Sequence, residues 1–110
     1  MVKKRTEIKK IVSQYAKELE KQGILVSQII LYGSYAKGKP KDYSDIDIAV
    51  VSPSFKRFDI FERQEVLCRA HHNFGEPLEP IGLIPEQLME KTGFAREIAE
   101  SGVVIYQQVL

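Results

Sequence analysis

Residues 31–51 read LYGSYAKGKPKDYSDIDIAVV, and the two ends of this stretch decide what kind of fold the chain adopts. The last six residues, IDIAVV, are apolar and β-branched apart from Asp47, and the run ILVSQIILY at 24–32 has the same character, so both read as buried strands. Between them lies a loop of Gly, Lys and Pro. Asp45 and Asp47 stand two residues apart at the mouth of the second strand. Strand geometry points both side chains to one side, about 6.5 Å apart along the backbone. Like charges so placed raise a pKa or cost stability unless a cation sits between them. Magnesium suits two carboxylates, being hard and oxygen-seeking. The alternative is a solvated turn, since DYSD at 42–45 is turn-rich.

The upstream end of the stretch narrows the choice. Gly33 ends the first strand and allows a sharp turn and close approach to a ligand, and Ser34 is expected to cap a short helix whose free N–H groups face an anion. A phosphate there, beside two carboxylates holding magnesium, describes a nucleoside triphosphate site. Lys37 is the expected phosphate partner, with Lys39 and Lys41 nearby in a basic, solvated loop.

Outward from this core, Ile8, Ile11, Val12, Tyr15, Ala16 and Leu19 recur at spacings of three and four, which predicts an amphipathic helix closed at Gly23. A second strand covers 46–52 and stops at Pro53. Residues 58–74 read as a helix with Ile60, Phe61, Leu67, Cys68 and His71 near one face, broken by Gly75-Glu76-Pro77. LEPIGLI at 78–84 is a strand better suited to an edge, because Pro80 removes a ladder donor and Gly82 weakens the strand. Pro85 opens a short helix, FAREIAESG ends one at Gly102, and VVIY at 103–106 is a final strand. This order predicts an α/β chain: a small mixed sheet flanked by helices, in one domain over 1–110.

Composition adds exclusions. Sixteen basic and fifteen acidic residues leave a net charge of +1, so any attraction to a polyanion must be local. The basic start MVKKRTEIKK runs straight into the first helix without an apolar targeting segment. With no membrane span and a single cysteine, Cys68, expected as a small core residue, the chain reads as cytoplasmic. His71 and His72 are neighbours that face different ways on a helix and are expected to be structural or partner-facing; Phe58, Phe61 and Phe74 are expected as core or interface anchors.

Gly33-Ser34, ten further residues, then Asp45-Ile46-Asp47 on an apolar strand resembles the signature of the DNA polymerase beta-like nucleotidyltransferases, and Ser44 ahead of the acids fits as well. In length the chain is most similar to the minimal nucleotidyltransferases encoded beside HEPN-domain partners. The resemblance implies the palm-like fold of that superfamily, Mg²⁺ as cofactor and ATP or another NTP as substrate. It also implies a third carboxylate on a later strand: Glu79 is the candidate and Glu76 the fallback. Asp45, Asp47 and Glu79 would then be the metal-binding and catalytic set, with Gly33, Ser34, Lys37 and Ser44 lining the nucleotide. Two departures stand out: Glu where the family often has Asp, and Tyr35 where it often has Arg after Gly-Ser.

On this reading the chain transfers a nucleoside monophosphate, expected to be AMP, to a hydroxyl of a HEPN-type protein and acts as an antitoxin; an RNA acceptor is the lesser expectation. The contrasting reading is a binding module of the same fold that neutralises its partner by contact alone. Small-molecule transfer ranks last, because 110 residues leave no room for a second domain to hold such an acceptor. Homodimerisation through the edge near Pro80 is a further expectation.

Overall fold

The computed structural model of the chain describes residues 2–41, 44–71, 75, 77–90 and 93–108. Its elements are α1 (Arg5–Lys21), β1 (Gln28–Tyr32), α2 (Gly33–Ala36), β2 (Ile46–Val51), a 3-10 helix (Pro53–Arg57), α3 (Ile60–His71), β3 (Leu78–Leu83), α4 (Pro85–Glu90), α5 (Gly93–Ser101) and β4 (Val103–Gln107). The strands form one sheet in the order β3-β2-β1-β4. β1 runs antiparallel to both β2 and β4, whereas β2 and β3 are parallel. A parallel pair needs a crossover, and the 3-10 helix with α3 supplies it. No helix among the described residues is long and apolar enough to cross a membrane.

Alternation along each strand sorts the sheet into two faces. Ile29, Leu31, Ile46, Ile48, Val50 and Leu78 pack with Ile8, Val12, Tyr15 and Leu19 of α1 and with Leu67 and Ala70 of α3. Tyr15 sits at the centre, and its hydroxyl donates to the Leu67 carbonyl at 2.7 Å, tying α1 to α3. The opposite face carries Ile30, Tyr32, Ala49, Val51 and Leu83, covered by Ile98 of α5 and by Leu88 of α4. That second cover is shorter than the first, and the carboxylates lie on this face.

Gly23 follows α1 at φ +85°, the left-handed turn expected of it. β3 is an edge strand, as Pro80 and Gly82 suggested. Several boundaries differ from the sequence reading. Ile24 and Val26 are buried, but the strand itself begins only at Gln28; Ser27 ahead of it already donates to the Val51 carbonyl at 2.9 Å and accepts the Gln108 N–H at 3.0 Å. Pro53 does end β2, yet it starts a 3-10 turn capped by the Ser52 hydroxyl, which accepts the Ser54 N–H at 3.0 Å. The helix expected at 58–74 consequently begins at Ile60, and 72–74 lie outside the described residues.

The inward face of α3 is also set differently. Leu67 and Ala70 are buried, while Cys68 is exposed, as are Ile60 (71%) and Phe61 (84%). Ile60 borders an open cleft beside Ile81 and Leu83 of β3 without being buried in it, and Cys68 falls one step off the packed stripe. His71 lies edge-on to the Tyr15 ring, with centroids 6.5 Å apart, a packing role. His72 and Phe74 lie outside the described residues.

Candidate active site

Asp47 occupies the middle of the site because β2 is a central strand. Its register partner on β1 is Tyr32 and its partner on β3 is Glu79. Asp47 shares the face of Ala49 and Val51, and Glu79 the face of Ile81 and Leu83, so sheet pairing places both acids side by side. Asp45, two residues before Asp47 and just ahead of the strand, joins them: the Glu79 and Asp45 carboxyls come within hydrogen-bonding reach of each other. The structure therefore brings Asp45, Asp47 and Glu79 together, while Glu76 lies outside the described residues.

Crowding of like charges is visible in the acidities. The Glu79 carboxyl is pushed up first by its hydrogen bond with Asp45, then by partial burial and by the charges of Asp47 and Asp45. Asp47 is raised by burial and then by Asp45. None of the three forms an ion pair with a basic side chain among the described residues. Nor is any group of three or more His, Cys, Asp or Glu among the described residues arranged to hold a metal ion alone. Hard carboxylate oxygens without a counter-charge suit a magnesium ion that keeps waters and takes its remaining ligands from substrate phosphates. In that sense the donor set fits the ion.

Gly33 is fixed by this crowding. It has φ +73°, and a Cβ built on it would overlap the Asp47 carboxylate oxygen Oδ2. Only a residue without a side chain lets α2 start directly beside the acid. The expectation that Ser34 caps this helix is corrected: the N-cap is Tyr32, no side chain caps it, and α2 begins at Gly33 itself. The left-handed glycine turns the strand straight into the helix, which leaves Ser34 inside the first turn. Ser44 shapes the other approach. Its Oγ accepts the Lys41 N–H at 2.8 Å and its own N–H donates to the Lys41 carbonyl at 2.9 Å, closing the turn that delivers Asp45.

Lys37 ends α2 and pairs at 3.8 Å with Glu97 of α5, both side chains well exposed. A pair so exposed contributes little stability, so nothing holds Lys37 from an incoming phosphate. Tyr35 is buried, its hydroxyl accepting the Lys3 N–H at 3.3 Å, and thus serves the core rather than the cleft.

Two aromatic residues at the site escaped the sequence reading. Tyr32 has a buried ring, and its hydroxyl is pushed up to about 12 by burial and then by Asp47, Glu79 and Glu97. Phe94 of α5 packs edge-to-face on Tyr32, with centroids 5.4 Å apart and planes at 86°, yet stays 53% exposed. Tyr32 was readable as the residue before Gly33 at the end of a strand. Phe94 carried no local signal.

A mixed four-stranded sheet with a glycine-led helix beside acids on one face is the architecture of a nucleotidyltransferase. Residues 7–105 match the family model of the nucleotidyltransferase domain, and the chain belongs to that family of enzymes. It is 42% identical over 65 residues, covering 56% of this chain and 72% of the other, to a Methanocaldococcus jannaschii protein named as a candidate protein adenylyltransferase. Among solved structures it resembles a candidate nucleotidyltransferase of Sulfolobus solfataricus, with a TM-score of 0.69, 19% identity, and 94% and 84% of the two chains covered. A toxin-antitoxin solved with AMP-PNP matches with a TM-score of 0.56 at 20% identity, over 86% of this chain and 72% of that one.

Proposed function

We propose that this nucleotidyltransferase moves AMP from ATP, with Mg²⁺, to a hydroxyl group on a protein partner in the cytoplasm, and that the partner is a HEPN-type toxin held in check by the modification. The single observation that carries the chemistry is the row Tyr32, Asp47, Glu79 across three adjacent strands, with Asp45 hydrogen-bonded to Glu79. The adenylyl and protein-acceptor parts rest on the M. jannaschii relative and on the toxin-antitoxin that shares the fold.

Magnesium, when bound, would neutralise phosphate charge and lower the pKa of the attacking hydroxyl. Asp45, Asp47 and Glu79 would hold it. Gly33 brings the backbone of α2 up to the phosphates, and Lys37 swings from Glu97 toward them. Glu79 lies on the edge strand, where a macromolecular acceptor has open access, and is positioned to receive the proton of the incoming hydroxyl. Positioning and fixed charge supply most of the acceleration in such a site.

The test is incubation with labelled ATP, Mg²⁺ and the lysate of the source cell, beside an Asp45→Asn, Asp47→Asn control. Label should enter a protein band only with the wild-type chain. A competing reading, in which the fold neutralises a partner by contact alone, draws on the acids being bonded to each other with no ready three-ligand shell among the described residues. Stable complex formation without label in either sample would establish it instead.

A further inference from the structure

We propose that Phe94 is the platform on which the nucleobase of the substrate stacks, with Tyr32 as its fixed buttress; this rests on the nucleotide-transfer reading of the acidic site. Among the described residues, Phe94 is the aromatic side chain at this end of the sheet that keeps a large exposed surface. Exposure of that kind at a site's rim is not accounted for by its packing on Tyr32, its aromatic partner among the described residues, which is already buried in the face that α5 covers.

Its placement selects the ligand. Tyr32 is the register partner of Asp47 and the residue before Gly33, so Phe94 stands one ring away from the acids on the β1 and α2 side. The exposed Lys37–Glu97 contact shows that α5, which carries Phe94, runs past the end of α2. Glu79 opens on the opposite side, toward the edge strand β3. A nucleotide whose phosphates lie over the start of α2, beside the acids rather than between them and Gly33, therefore has its base on the Phe94 side, and an acceptor hydroxyl enters from the Glu79 side. Tyr32 fixes the Phe94 ring at 86° to its own plane, which leaves a ring face free without the entropic cost of ordering a mobile aromatic on binding. Every base has a π-face, so the platform gives affinity rather than a choice among bases.

The chain contains no tryptophan, which makes the test direct. Binding of Mg·ATP and of Mg·tripolyphosphate is measured by calorimetry on the wild type, Phe94→Ala and Phe94→Trp. Phe94→Ala should weaken ATP by about 5- to 150-fold, the range for losing one aromatic–base stack, and leave tripolyphosphate unchanged. Phe94→Trp should keep ATP affinity, and its single indole should be quenched by ATP but not by tripolyphosphate. Unchanged ATP affinity in Phe94→Ala overturns the platform while the transfer reading stands. Equal losses for ATP and tripolyphosphate, or an indole that responds to both alike, also overturn it. Absence of Mg·ATP binding by the wild type removes the nucleotide reading and the platform together. Should Phe94→Ala fail to fold, Phe94→Trp alone decides through the indole response.

Discussion

The Asp47 carboxylate fills the space that a side chain on Gly33 would need. The glycine is left-handed at φ +73°, so two independent constraints fall on one position, one from its own backbone and one from the acid it faces. Replacing Gly33 with Ala should cost about 1–2 kcal/mol from the backbone conformation alone. Displacement of Asp47 should lower transfer by about 100-fold, as a shift near 1 Å at a reacting group does. Melting curves and initial rates on Gly33→Ala check both, and near wild-type activity would refute the close approach.

The raised acidities of Asp47 and Glu79 set a pH dependence with a definite sign. An acid whose folded pKa lies above its unfolded value holds its proton more tightly in the fold. Its favourable contribution is complete below the ordinary carboxylate range and is lost as pH rises through the raised value. At neutral pH without divalent cations the charged cluster therefore strains the fold. Asp47→Asn should raise Tm by about 1–3 °C at pH 7, with the gain shrinking as pH falls and vanishing below about pH 3. Thermal melts across that pH range decide, and a variant that melts lower at pH 7 would contradict the strain.

Glu79→Gln keeps the shape and removes the charge of the side chain on the open edge. If Glu79 serves the acceptor, kcat should fall by about 100-fold or more while the KM for ATP changes by no more than about threefold. A rise in KM at unchanged kcat would assign Glu79 to nucleotide binding instead.

Away from the site, Tyr15→Phe removes the buried hydroxyl that bonds the Leu67 carbonyl. Loss of that link between α1 and α3 should cost about 1 kcal/mol, several degrees of Tm in a chain this size, with transfer rates unaffected at permissive temperature. Equal stability would show that the hydroxyl contributes nothing to the packing of the two helices.

The order of elements was legible along the chain because each left a local mark. Spacing of three and four drew α1, β-branched runs drew β1 and β2, and Pro80 with Gly82 marked β3 for the edge. Where apolar residues lacked a neighbour to bury them, the same marks misled: Ile60, Phe61 and Cys68 read as an inward stripe, yet the packed side of α3 is the one that carries Leu67 and Ala70, and the other three stay exposed. Ser34 misled for a related reason. Its residue type favours capping, but the left-handed Gly33 had already started the helix.

The sequence by itself determined that Asp45 and Asp47 stand together at the mouth of a strand, because a separation of two residues along the chain needs no partner. It determined the glycine turn beside them for the same local reason. Which acid stands next to Asp47, and which aromatic ring lies beyond Tyr32, was decided only when β2 paired in parallel with β3 and α5 folded back over β1. Those neighbours are set by long-range hydrogen-bond register and by which apolar faces bury each other, and neither leaves a mark on the residues it brings together.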